Sequence, residues 1–270
     1  MTLALLVNGV APANPSQGIA TDDRGLNYGD GLFETAVLFD GRVRFLDDHL
    51  ERLFRGCERL AIPAPDRQRL LDEIAQVSAG ATRGVLKIVV TRGASGRGYR
   101  PPATSAATRI VALHPLKETT QQGLKLRWCE TRLGRNTRLA GIKHLNRLEQ
   151  VLAQAEWQEG TFDEGLMMDT EGELVCATAG NVFAVRDGAL ITPDLRFCGV
   201  QGVMRAQVLK AAARLQINLS EEPLWPQDLE AASEIFITNA VRGIRSATSL
   251  DSLQWSDSTV ATRLAGALGL

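Results

Sequence analysis

Four short apolar runs, Glu164–Asp169, Glu173–Cys176, Asn181–Val185 and Ala189–Thr192, follow one another with only a few small or turn-forming residues between them, Gly172 and Gly188 among these. Connections that short cannot carry a chain back for parallel pairing, which needs a crossover of about a dozen residues. The runs therefore predict antiparallel hairpins. Other strand-like segments alternate with helical patterns, so the fold class is α+β rather than a doubly wound parallel sheet. In the first half, Leu3–Val7 and Thr35–Phe39 each end at a turn signal, Asn8-Gly9 and Asp40-Gly41. The second predicts a tight hairpin from Thr35–Leu38 to Val43–Leu46. Asp47 or Asp48 is placed to cap a helix through His49, Leu50, Leu53, Cys57 and Leu60. A helix over Asp66–Val77, strands at Gly84–Thr91 and Thr108–Leu113, and a glycine-rich loop at Arg92–Pro102 complete this half. Further on, the patterns predict a strand at Leu124–Cys129 and an amphipathic helix at Leu145–Trp157. A helix at Gly202–Leu215, a strand at Glu234–Thr238 and a helix at Ser256–Leu268 follow.

At 270 residues the chain has room for one large domain or two modest ones. The polar stretch His114–Gly123 carries linker chemistry. It divides the sequence into residues 1–114, a linker at 115–122, and residues 123–270. Thirty Lys and Arg against 31 Asp and Glu leave no global field to hold a polyanion, so nucleic acid is not an expected partner. No run approaches the roughly 20 apolar residues that span a bilayer. The opening MTLALLVNGVAPANP lacks a basic n-region and reads as a strand and turn, not a signal peptide. Four scattered cysteines without a CxxC pair fit reduced thiols in a cytoplasmic protein. Three histidines far apart make no His-rich metal site.

Several residues could carry chemistry. Lys143 follows the small apolar tripeptide Ala140-Gly141-Ile142 at the entrance to the expected helix. Apolar neighbours desolvate a lysine and favour its free amine, the form needed for a Schiff base or for proton transfer. A solvated lysine at a helix start is the competing reading. Gly199-Val200-Gln201-Gly202 precedes Val203 and Met204 at the start of a helix, where free N–H groups suit an anion such as phosphate. It lacks the P-loop spacing, and an ordinary glycine turn reads the same way. Thr238-Asn239-Ala240 ends an apolar strand and could donate to the same anion or simply turn the chain. Arg52, on the helix after His49, could bind phosphate bidentately or lie in solvent. An amine able to form an imine, with several donors for one phosphate, is what a pyridoxal phosphate enzyme requires.

The run Arg132-Leu-Gly-Arg-Asn-Thr-Arg-Leu-Ala-Gly-Ile-Lys-His-Leu-Asn-Arg-Leu-Glu-Gln-Val151 resembles one in the fold-type IV pyridoxal phosphate enzymes, and within them most closely the aminodeoxychorismate lyases. Tyr28-Gly-Asp-Gly-Leu-Phe-Glu-Thr35 resembles a segment of the whole superfamily, and Arg92-Gly-Ala-Ser-Gly-Arg-Gly-Tyr99 the lyases' substrate-side loop. The resemblance covers nearly the whole chain. It implies the two-domain fold of the D-amino-acid and branched-chain transaminases, bound pyridoxal 5′-phosphate, a small-molecule substrate and a homodimer. The implied reaction converts 4-amino-4-deoxychorismate to 4-aminobenzoate and pyruvate, a step in folate synthesis. The alternatives are a D-amino-acid or branched-chain transaminase on the same fold, or a non-catalytic relative.

By position, the resemblance makes Lys143 the Schiff-base lysine. The cofactor phosphate falls to Arg52, the amides of Val203 and Met204, and the turn Thr238, Asn239 and Ala240. Thr35 becomes a substrate contact or proton relay, while Arg97 and Tyr99 fall on the substrate side. Arg97 could hold a carboxylate there, or could be a solvated loop residue. One position departs from the pattern. The superfamily places a Glu five residues before the Asn of Asn181-Val182-Phe183, against the pyridine nitrogen, and this chain has Cys176 there. Glu173, three residues away, should point to the other side of the strand.

Overall fold

The computed structural model describes residues 2–14, 18–117 and 123–270, and they form two compact units. The first comprises Met1–Glu118 with Ile142–Asn146, and the second Thr119–Gly141 with Arg147–Leu270. A single cut through the linker puts Ile142–Asn146, and so Lys143, with the second half of the chain. The structure puts it with the first. Residues 118–122 of the expected linker lie outside the described residues.

The first unit runs β1 (Ala4–Val7), α1 (Arg24–Tyr28), β2 (Gly31–Phe39), β3 (Arg42–Val43), α2 (Leu46–Leu60), α3 (Arg67–Ser78), β4 (Arg83–Thr91) and β5 (Thr108–His114). Its five strands form an antiparallel sheet in the order β1-β5-β4-β2-β3. The Asp-Gly hairpin forms with Asp40 and Gly41 both left-handed, at φ 49° and 71°, as a turn matched to strand twist requires. β3 stops at Val43 rather than Leu46 because Leu46 opens α2. That helix is not capped by Asp47 or Asp48. Phe45, left-handed at φ 54°, precedes it, and both carboxylates sit in its first turn, where the helix dipole favours them. Alternation along β2 buries Leu32, Glu34, Ala36 and Leu38, and α2 buries His49, Leu50, Arg52, Leu53, Gly56 and Cys57. Gly56 permits the close approach of the two elements, since a Cβ there would stand 2.8 Å from Leu32 Cδ1. Burying a leucine such as Leu50 or Leu53 stabilises by about 2 kcal/mol each.

The second unit contains β6 (Leu124–Trp128), α4 (Leu148–Gln154), β7 (Glu164–Met168), β8 (Leu174–Ala177), β9 (Asn181–Arg186), β10 (Ala189–Pro193), α5 (Val203–Arg214), β11 (Leu219–Glu222), β12 (Glu234–Asn239), β13 (Gly243–Leu250), β14 (Leu253–Gln254) and α6 (Thr259–Ala267). Its nine strands follow the order β11-β10-β9-β12-β13-β6-β7-β8, with β14 on β13. The hairpins β7–β8 and β9–β10 are antiparallel as their short turns demand, while β10–β11, β13–β6 and β6–β7 are parallel. The polar β13, Gly-Ile-Arg-Ser-Ala-Thr-Ser-Leu, has no strand signature in sequence and is fixed by neighbours on both sides. Phe183 and Phe236 stack with centroids 5.0 Å apart, among Val208, Ala211 and Ala212 of α5 and Val260, Ala261 and Leu264 of α6. The buried Glu234 carboxylate accepts the first free amides of α6, Val260 N–H at 2.8 Å and Ala261 N–H at 3.1 Å.

Candidate active site

Lys143 does not sit at a helix entrance. The expected helix over Leu145–Trp157 is confined to Leu148–Gln154, because the backbone before it is taken up elsewhere. Phe33 N–H donates to Lys143 O at 3.0 Å, and Leu145 N–H donates to Gly31 O at 2.9 Å. The lysine thus lies on a short extended segment laid against the start of β2. Its half-buried side chain puts Nζ 4.2 Å from the centroid of the Phe33 ring. Lys87 approaches the same ring, at 6.0 Å. In the β2–β4 register Lys87 stands directly opposite Thr35, so Phe33, Thr35 and Lys87 share one face of the sheet. Sequence reasoning passed over Lys87. The signal was a lone cation inside the otherwise apolar run Gly-Val-Leu-Lys-Ile-Val-Val-Thr.

Arg52 lies on the opposite, buried face of β2. Its Nε donates to Glu34 Oε1 at 2.8 Å and its Nη2 to Glu34 Oε2 at 2.5 Å. His49 Nδ1 meets the same carboxylate at 2.6 Å, while its buried Nε2 has no hydrogen-bond partner among the described residues. Burial pushes the Glu34 pKa up, but the Arg52 charge and the hydrogen bonds from His49 and Arg52 outweigh it and hold the carboxyl below its ordinary value. Two of the five guanidinium donors are spent on Glu34, which fixes the plane of the group. Glu34 and His49 are the supporting residues that sequence reasoning missed, although alternation in β2 and the apolar stripe of α2 turn both inward. Arg97 and Tyr99 lie on the loop after β4, both exposed, Tyr99 at 86%.

In the second unit Gly202 precedes α5 as its cap and contributes no side-chain hydrogen bond, so the amides of Val203 and Met204 open the helix without a side-chain acceptor from it. A Cβ on Gly202 would collide with the Asn181 carboxamide, whose Nδ2 donates to Val200 O at 2.9 Å. Asn181 pairs in register with Thr238, so the strand carrying Thr238 lies next to the residue that seats the helix start. Among the described residues, Thr238 Oγ1 is buried without a hydrogen-bond partner. Asn239 is differently occupied. Its Nδ2 donates to Ala179 O at 3.0 Å, and its Oδ1 accepts from Val241 N–H and Arg242 N–H at 3.0 and 2.7 Å. Its side chain thus shapes the turn that carries Ala240. An orphaned hydroxyl and an open helix N-terminus joined through Asn181 fit a phosphate group.

Cys176, on β8, lies among Cys129, Leu133, Ala153, Met167, Val175, Leu195 and Cys198. Burial pushes its thiol up to about 12, so it is neutral. Glu173 cannot stand in for it, being held by Arg135 Nη2 at 3.0 Å. The buried Glu164 accepts from Thr178 Oγ1 and from Gly165 N–H at 3.1 Å, and burial raises its pKa. No His, Cys, Asp or Glu cluster among the described residues could hold a metal, and no helix there is long and apolar enough to cross a membrane.

Residues 31–250 match the family model described as amino-transferase class IV. Aminodeoxychorismate lyase of Vibrio harveyi is 33% identical over 243 residues, 88% of each chain. The crystal structure of 4-amino-4-deoxychorismate lyase from Pseudomonas aeruginosa superposes with a TM-score of 0.92 at 42% identity, over 98% of this chain and 97% of that one. Branched-chain amino acid aminotransferase of Escherichia coli gives 0.90 at 23% identity over 100% and 95%, a likeness of fold alone. The chain belongs to the class IV amino-transferase family.

Proposed function

We propose that the chain is a pyridoxal phosphate-dependent lyase that converts 4-amino-4-deoxychorismate to 4-aminobenzoate and pyruvate, and so serves folate synthesis as a cytoplasmic homodimer. The observation that carries this reading is the likeness to two lyases along nearly the whole chain, at higher identity than to the transaminase structure. In the second unit, the open start of α5 and the orphaned Thr238 hydroxyl support the cofactor's phosphate, with Val203 and Met204 amides as donors. In the first unit, the family resemblance assigns Arg52 to a cofactor phosphate. Bound pyridoxal phosphate supplies an electron sink for the pair left at the amine-bearing carbon when its proton departs.

The protein's own groups do the rest. Lys143 Nζ would hold the cofactor and, once the substrate's amine has displaced it, would be the free base that takes the proton from that carbon. The Phe33 ring beneath Nζ orients it and shields one side from water. Thr35, on the same sheet face, contacts the substrate or relays the proton toward the departing enolpyruvyl group, whose C–O bond breaks as the ring becomes aromatic. The substrate carries two carboxylates, and Lys87 and Arg97 are the cations assigned to them. Leu148, Val151 and Leu152, spaced three and four apart on α4, are 69%, 60% and 54% exposed, which supports a second copy as the homodimer partner. Four free buried cysteines fit a reducing compartment.

The test is incubation with 4-amino-4-deoxychorismate while 4-aminobenzoate and pyruvate are followed. Amino transfer to a keto acid without pyruvate release would instead identify a transaminase, and a colourless protein inert in both assays a non-catalytic relative. Borohydride reduction and peptide mapping should label Lys143. Label on another lysine would remove it from the mechanism, whereas Lys143→Ala should abolish turnover.

A further inference from the structure

We infer that Arg24 is a positioning residue that fixes the loop after β4 for substrate binding, an inference resting on the substrate role given above to Arg97 and Tyr99. Arg24 is 3% exposed, far below what a surface arginine shows. Its guanidinium is divided between an anion and a loop. Nε donates to Asp30 Oδ2 at 2.8 Å, Nη1 to Gly98 O at 2.9 Å and Nη2 to Tyr99 O at 2.9 Å. The two carbonyls belong to the residues directly after Arg97, so the backbone that aims Arg97 is held by this one group. Tyr28 adds a second fastening. Its ring lies 4.8 Å from Arg24 Cζ, its hydroxyl accepts from Gly98 N–H at 3.1 Å, and its ring meets that of Tyr99 edge-on at 5.5 Å.

Asp30 makes the clamp rigid. Besides Arg24 it takes Arg92 Nε at 2.7 Å and Nη2 at 3.0 Å, and Arg92 in turn donates to Leu60 O and Ala61 O at the end of α2, at 2.8 and 2.6 Å. The next residue, Gly31, accepts from Leu145 N–H beside Lys143. One turn therefore joins the substrate loop on one side to the lysine segment on the other, and Arg24 transmits that reference to residues 98 and 99. Lysine could keep the ion pair with Asp30, but a single compact ammonium cannot also reach two carbonyls in the spread of a planar fork.

Arg24→Lys and Tyr28→Phe, each in the cofactor-loaded enzyme, test this, with Arg97→Ala as the reference. Amide hydrogen exchange in a peptide covering 95–100 should speed up about tenfold or more in Arg24→Lys, and less in Tyr28→Phe, with β2 and β4 peptides unchanged. KM for 4-amino-4-deoxychorismate should rise about tenfold while kcat stays within about threefold. If Arg24→Lys fails to fold, Tyr28→Phe carries the same test. Unchanged exchange in the loop overturns the inference. So does faster exchange with an unchanged KM where Arg97→Ala raises KM. If Arg97→Ala itself leaves KM unchanged, the substrate role of the loop is what fails, and the inference falls with it.

Discussion

A neutral thiol at the place of the family's carboxylate cannot hold a pyridinium by charge. If Cys176 faces the cofactor nitrogen, electron withdrawal into the ring weakens. Transamination should then suffer more than an elimination that gains aromaticity. Cys176→Glu should therefore raise half-transamination with amino acids, seen spectrally as conversion of the aldehyde cofactor to its amine form. It should also make thermal stability depend on added cofactor, because a carboxylate buried among Leu133, Met167 and Leu195 loses its hydration and a bound pyridinium would offset that cost. Brisk wild-type transamination unaffected by the substitution would place Cys176 elsewhere. Glu34 offers a pH test. Its folded pKa is depressed, so its contribution to stability is present above the ordinary glutamate range and is lost as pH falls through the lowered folded value. Glu34→Gln removes the buried carboxylate that pairs with Arg52 and should cost roughly 3–5 kcal/mol at pH 7. Urea unfolding followed from pH 7 down to well below the ordinary glutamate range should show wild type losing stability in acid and the variant changing less. Arg52→Ala would leave Glu34 with His49 alone, so Arg52→Lys is the better probe of cofactor retention.

At the level of elements, the start of α5 depends on a glycine for space, not for backbone freedom. Gly202 has φ −65°, which any residue adopts, but its Cα faces the Asn181 carboxamide. Gly202→Val should push Asn181 off Val200 O and tilt the helix start, at about 1–3 kcal/mol of stability. Affinity for pyridoxal phosphate, read by titration of the cofactor's absorbance, should fall about tenfold with helix content intact. Unchanged affinity would remove the start of α5 from the phosphate site. Elements were read from the sequence where their signals were local. The Asp40-Gly41 hairpin, α3 and the β7–β10 hairpins each depend on residues within a few positions of one another. The helix assigned to Leu145–Trp157 was too long because its first turn is claimed by β2, more than a hundred residues earlier in the chain. Nothing near Lys143 announces that pairing.

On the scale of the whole molecule, the exposed stripe Leu148, Val151 and Leu152 is the element-level feature that a second copy would cover. If the proposed homodimer forms through this stripe, Leu148→Glu with Leu152→Lys should shift it to monomer in sedimentation equilibrium. A dimer that survives both changes would place the interface elsewhere. The sequence by itself determined the α+β class, most strand and helix spans, and the residues that resemble the family's site. These follow from side-chain period, turn chemistry and motif, all of which act over short stretches of chain. Tertiary structure decided the rest. It moved Lys143 into the first unit, gave Arg52 a buried counter-ion in Glu34, left Thr238 Oγ1 without a partner, and set Arg24 between Asp30 and the loop carbonyls. Each depends on two segments distant in sequence meeting at hydrogen-bond range, and the register of that meeting is set by the packing of whole sheets and helices, which no local pattern encodes.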